Sequence, residues 1–198
     1  RAPNLPSFWA AVSMHQIPCF NIVYADRGNN IFYLYNTKTG IRVSPSANSD
    51  QNPNDPTLTQ DWRVPVNADL SAMAWREVIP QANLPSILNP PSGYIQSCGN
   101  PPWTVTEPSP LDPSFWPQWL IADQNTYRAA RVRQLLNTGK RSFRDHQSML
   151  FDVLVPAALD MVPAIVNAAE TRKDRVSDAH PDFWKGIDVL RNWNYIAE

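Results

Sequence analysis

The sequence predicts an α+β fold, and three observations carry that prediction. Two β-branched and aromatic runs flank a short Gly/Asn loop between Phe20 and Asn36. Fourteen of the 20 prolines fall between Pro45 and Pro117. Apolar residues then recur at helical spacing from Gln124 to Trp193. The chain accordingly divides into a helix end and β-hairpin over 1–44, a proline-rich extended connection over 45–117 and a helical segment over 118–198.

Ala10 to Met14 reads as the end of a first helix. The runs Phe20–Asp26 and Ile31–Asn36, joined by Arg27-Gly28-Asn29-Asn30, carry a hairpin signature. Both are too apolar for simple alternation, so cover is expected on both faces. The proline-rich stretch lacks long periodic segments and reads as turns and extended chain. Gln124 to Leu136 is helical, with Ala129, Val132, Leu135 and Leu136 apolar or small, and Gly139 ends it. Ser142 with Asp145 three residues on is a capping-box variant. Asp145 to Glu170 is interrupted by Pro156 and Pro163, which predicts a kinked helix or two consecutive ones. Pro181 to Trp193 is a last amphipathic helix, with Phe183, Trp184, Ile187, Leu190 and Trp193 near one face.

Composition excludes several classes. Eight Trp, seven Phe and six Tyr supply apolar surface to offset the entropy of ordering, so the chain is not disordered overall. A net charge of −1 does not suggest a nucleic-acid partner. No apolar run approaches the ~20 residues of a membrane span, and Arg1 to Phe8 has no signal-peptide core. The Arg start suggests a processed product or a fragment. Cys19 and Cys98 make no disulfide framework and read as two small buried thiols or one bridge.

No phosphate loop, HExxH, CxxC or GxSxG element is present. His15, His146 and His180 form no ligand pair. Ser46 to Asp55 holds two acids but lacks the Gly and closing Glu of a calcium loop. The cations Arg128, Arg131, Arg133, Lys140, Arg141 and Arg144 read mainly as a solvated helix face. The segment Asn89–Trp103, NPPSGYIQSCGNPPW, combines tight-turn pairs with a short strand-like piece and an exposed Asn. It presents backbone at the end of an extended piece, a geometry that suits an oxyanion hole and equally an ordinary proline-rich turn.

That segment resembles the NPxSGYxxNxNxxP stretch of the penicillin acylase family of N-terminal nucleophile amidohydrolases. The hairpin NIVYADRGNNIFYLYNTKTGIR (21–42) resembles the family's N-x-x-YAD-x-x-GNI-x-Y-x-x-x-G-x-x-x-R stretch. Arg63-Val64-Pro65-Val66 and Trp75 to Pro80 are similar to its RxPVP and W-x-G-x-x-P spacing, and Arg128 to Leu136 to its R-x-x-R-hydrophobic-x-x-LL helix. The order and approximate spacing of the four pieces agree, from about Phe20 to Ala168.

The resemblance implies a four-layer αββα sandwich of which this chain is an internal piece. It implies a secreted or periplasmic precursor that cuts itself, leaving an N-terminal Ser upstream as nucleophile and a smaller chain as partner. It implies acyl transfer from a small-molecule amide, such as a β-lactam side chain or an N-acyl homoserine lactone, with no nucleic acid and no membrane insertion. By the same resemblance, Arg131 matches an arginine that orients the nucleophile region, Cys98 lines the wall beside the substrate, and Tyr24 is a substrate contact. The family's oxyanion donor is an Asn side chain, and the aligned residue here is Gly99. Either the adjacent Asn100 takes over through a one-residue shift, or the site is slow or inactive. Calcium occurs in some members, but Trp62 stands at the expected proline and the ligand positions are not recognisable, so neither metal nor cofactor is expected. The rival expectations are a non-catalytic homologue and an unrelated Pro/Trp-rich binding module.

Overall fold

The structure, a computed structural model, describes residues 2–41, 65, 77–117, 119–121, 124–175 and 181–197. The polar stretch Ser46–Asp55, Trp62, Arg63, Val64, Val66, Trp75 and His180 lie outside the described residues. The chain forms two compact units, Arg1–Ala129 and Ala130–Glu198, with the division falling inside a helix. Its architecture is mixed, five α-helices and a small antiparallel sheet among the described residues, in keeping with the α+β expectation.

The first unit opens with α1 (Leu5–Val12). Asn4 caps it by accepting the Ser7 N–H at 3.0 Å, while Ser7 Oγ accepts the Asn4 N–H at 3.2 Å. The hairpin follows as β1 (Ile22–Ala25) and β2 (Ile31–Leu34), and β3 (Ser86–Leu88) joins the far side of β2. Tyr24 pairs with Phe32, and Tyr33 with Ile87.

Side-chain alternation on β2 explains the missing polar positions. Phe32 and Leu34 enter one core with Leu84, Leu120 and Ile121, under Leu5, Trp9 and Val12 of α1. Tyr33, between them, enters the other with Ile87 and Val105. The expectation of cover on both faces therefore holds for β2 but not for β1, whose Val23 is 52% exposed. The layer formed by Tyr33, Ile87 and Val105 does not reach across to the outer strand.

The hairpin loop is organised by one carboxylate. Asp26 Oδ1 accepts the Asn30 backbone N–H at 3.0 Å, Asp26 also accepts the Asn30 side-chain amide, and Tyr24 Oη donates to Oδ2 at 2.9 Å. These bonds hold the Asp26 carboxyl below its ordinary range, the Asn30 side chain contributing most. Asn89, just past β3, accepts the Ile31 N–H at 2.8 Å and donates to Asn30 Oδ1 at 3.1 Å, so the turn after β3 is tied to the hairpin.

In the second unit, α2 (Tyr127–Leu136) is followed by α3 (Phe143–Ser148), α4 (Pro156–Thr171) and α5 (Pro181–Asn192). The Ser142–Asp145 capping box is formed in both directions. The interruption between α3 and α4 falls before Pro156, which opens α4 in the position where its missing N–H costs nothing. α4 runs on through Pro163. It packs on α5, and Arg191 of α5 bonds Glu170 at 2.7 Å. Ile187 is buried on α5, whereas Phe183 stays 39% exposed. Both cysteines are free thiols, Cys19 exposed and Cys98 half-buried, so the expectation of two buried thiols is corrected.

Candidate functional site

Beyond Asn89 the chain turns at Pro90–Gly93, where Gly93 adopts φ +72° and donates its N–H to the Pro90 carbonyl at 2.9 Å. It then runs beside residues 104–106: the Gln96 N–H donates to the Val105 carbonyl at 2.8 Å, and Gln96 Nε2 to the Thr104 carbonyl at 2.9 Å. The loop between these two stems, Ser97 to Trp103, contains the residues singled out by sequence.

Asn100 holds this loop from inside. It is fully buried, its Oδ1 accepts the Cys98 N–H at 2.8 Å, and its Nδ2 donates to Thr104 Oγ1 at 2.9 Å and to the Pro101 carbonyl at 3.2 Å. Its amide is thus engaged on both sides within the loop. Gly99 lies at the turn with φ +72°, a conformation that glycine adopts without the strain a Cβ imposes.

Arg128 holds the loop from outside. Its guanidinium donates to the Cys98 carbonyl through Nη2 at 2.8 Å and Nε at 3.2 Å. A Cβ at Gly99 would lie 3.2 Å from Arg128 Nη2. On the hairpin side, Asn21 Nδ2 donates to Ser97 Oγ at 3.1 Å. Asn21 also lines an open cavity of about 230 Å³ with Cys19, Phe20, Tyr35, Asn36 and Thr37, to which no residue of the Ser97–Trp103 loop contributes.

Cys98, Gly99 and Asn100 therefore share one loop. Tyr24 is half-buried, its ring lies tilted against Phe8 at 4.6 Å between centroids, and its hydroxyl is given to Asp26. Arg131, in the second unit, forms a fork with Asp152, Nε to Oδ2 at 2.8 Å and Nη2 to Oδ1 at 2.7 Å, and also bonds Gln134. The hydrogen bond from Arg131 is the main reason the Asp152 carboxyl sits below its ordinary range.

The expectation of a solvated face holds for Arg128, Lys140 and Arg144, which are exposed, and is corrected for Arg131, Arg133 and Arg141, which are partly or fully buried. Arg128 bonds Cys98, Arg131 bonds Asp152, Arg133 is only 9% exposed, and Arg141 Nη2 reaches the Leu135 carbonyl at 2.5 Å. Arg128 is the functional candidate that sequence reasoning passed over. One signal was available: it occupies the first turn of α2, where the helix dipole disfavours a cation and no acid balances it. A cation tolerated there has an acceptor elsewhere. Among the described residues no group of three or more His, Cys, Asp or Glu is placed to hold a metal ion, and no helix is long and apolar enough to cross a membrane. A family model described as "Penicillin amidase" matches residues 1–198, the full length of this sequence.

Proposed function

The chain belongs to the penicillin amidase family, and from that premise we propose that the Ser97–Asn100 loop is one wall of the oxyanion site of an amide hydrolase. The observation that carries this reading is the paired hold on the loop, Asn100 from within and Arg128 from without, which fixes a short exposed piece of backbone. Fixed donors cost no reorganisation when charge develops, which is what oxyanion stabilisation requires.

In the proposed reaction a Ser upstream of this sequence, made N-terminal by self-cleavage, attacks the amide carbonyl, and its own α-amine takes the hydroxyl proton. The carbonyl π pair moves to oxygen. When it returns, the C–N bond breaks and the amine leaves with the proton. Water then releases the acid from the acyl-enzyme. The Gly99 backbone N–H faces the oxyanion, Asn100 positions the loop, Cys98 borders the substrate, and Arg131, by its match to the family's arginine, orients the nucleophile region. Tyr24 acts indirectly, ordering the hairpin through its bond to Asp26. The substrate is an acyl amide of the β-lactam or homoserine-lactone kind. We place the chain within a four-layer αββα sandwich completed by the smaller chain of its precursor, in the periplasm or outside the cell.

Expression of the full open reading frame tests this. Self-cleavage ahead of a Ser, together with release of a fatty or aryl acid from an amide, is expected. A folded protein that does neither overturns it. A second reading, a non-catalytic homologue, is favoured by the absence of a side chain at Gly99. Activity gained from nothing on Gly99→Asn would establish it.

A further inference from the structure

We infer that the guanidinium of Arg128 is the side-chain oxyanion donor of this site, standing where a side chain at position 99 would otherwise reach. The inference rests on the amidase reading of the loop and deepens it. Among the described residues, and apart from the glycine and its chain neighbours, Nη2 of Arg128 is the one heavy atom within 4 Å of the place a Gly99 Cβ would occupy. The space beside Gly99 is thus bordered by a cation.

The guanidinium is suited to the task. It carries five N–H donors, and the Cys98 carbonyl takes two. The two bonds to Cys98 also orient the planar group, so the remaining donors point in fixed directions. A charged donor makes a stronger hydrogen bond to an anion than a neutral amide does. Position on α2 adds to this: a cation in the first turn of a helix is disfavoured until an anion arrives beside it. Gly99 is then the counterpart of Arg128, since a Cβ there would crowd Nη2.

A purely structural clamp is the competing role, and a rescue experiment separates the two. The mature protein from the full open reading frame is titrated calorimetrically with octanoate and phenylacetate, whose carboxylates mimic the oxyanion. Turnover of the matching amides is measured alongside. Arg128→Gln is expected to weaken carboxylate binding by about tenfold or more and to lower kcat by about 10²–10³-fold. Adding Gly99→Asn in that background restores at least part of both, because Asn tolerates a positive φ and places an amide at the same spot. Arg128→Lys, measured should Arg128→Gln fail to fold, cannot hold Cys98 and reach the anion together and is expected to lose about tenfold in affinity. Unchanged carboxylate affinity in either variant, or a loss that Gly99→Asn leaves untouched, overturns the inference. Carboxylate binding that follows the expected pattern without any amide turnover overturns the amidase reading and leaves Arg128 as an anion donor. Full turnover in Arg128→Gln does the reverse.

Discussion

The side-chain carbonyl of Asn100 accepts the backbone N–H of Cys98 at 2.8 Å, two residues earlier in the chain, while its amide nitrogen holds Thr104 four residues later. One buried side chain therefore sets the curvature of the whole candidate loop.

Asn100→Ala removes these bonds and leaves the Cys98 N–H without its acceptor, while Thr104 Oγ1 and the Pro101 carbonyl keep their bond to each other. A destabilisation of about 1–3 kcal/mol is expected, read as a lower midpoint in urea denaturation. Asn100→Asp keeps the acceptor for Cys98 but loses both donors, so it is expected to fall in the same direction. A wild-type midpoint in both variants would show that the loop does not depend on this residue.

Leu34 is completely buried between β1 and β3 and faces the core beneath α1. Leu34→Ala is expected to cost about 2–5 kcal/mol through lost burial and the cavity left behind. Val23→Ala on the open face of β1 should cost much less. Comparison of the two denaturation curves checks that the sheet is covered unevenly.

Asp26 gives a pH dependence with a definite sign. Its folded carboxyl titrates below the ordinary value, first because of the Asn30 side chain and then its backbone N–H. The stabilisation is therefore complete above the unfolded value of about 3.9 and is lost as pH falls through the lower folded value. Asp26→Asn is expected to flatten the acid limb of stability below about pH 5. Thermal melts across that range decide it, and an unchanged acid limb would refute the assignment.

Arg131 and Asp152 are each 21% exposed at the side chain and form a two-bond fork. A double-mutant cycle with Arg131→Ala and Asp152→Ala is expected to give a coupling of about 1–2 kcal/mol. Asp152 is held low by Arg131, so the coupling is present above the ordinary carboxylate range and fades as pH drops. Additive single effects at neutral pH would mean that the fork contributes nothing.

Much of this architecture is written locally. The Gly/Asn loop of the hairpin, the Ser142–Asp145 box and Pro156 at the head of α4 each act within a few residues, so each can be read without the rest of the fold. The ordered motifs likewise pointed to the family and to the loop around Gly99. The loop's internal hold was less legible. An Asn beside a glycine looks exposed in one dimension, but Asn100 is turned inward because Thr104 and Pro101 offer its amide acceptors that water would otherwise supply.

The arginines mark the boundary. Arg128 and Arg131 stand three residues apart in one motif with the same side chain, and their local chemistry does not separate them. Local pattern alone was sufficient for the helix that carries them and for the charge they bring. Their roles were assigned by distance in the chain: the Cys98 carbonyl lies 30 residues from Arg128, and Asp152 lies 21 from Arg131. A hydrogen bond is directional and short-ranged, so its partner depends on which segments folding brings within about 3 Å, and no periodicity in the sequence encodes that meeting.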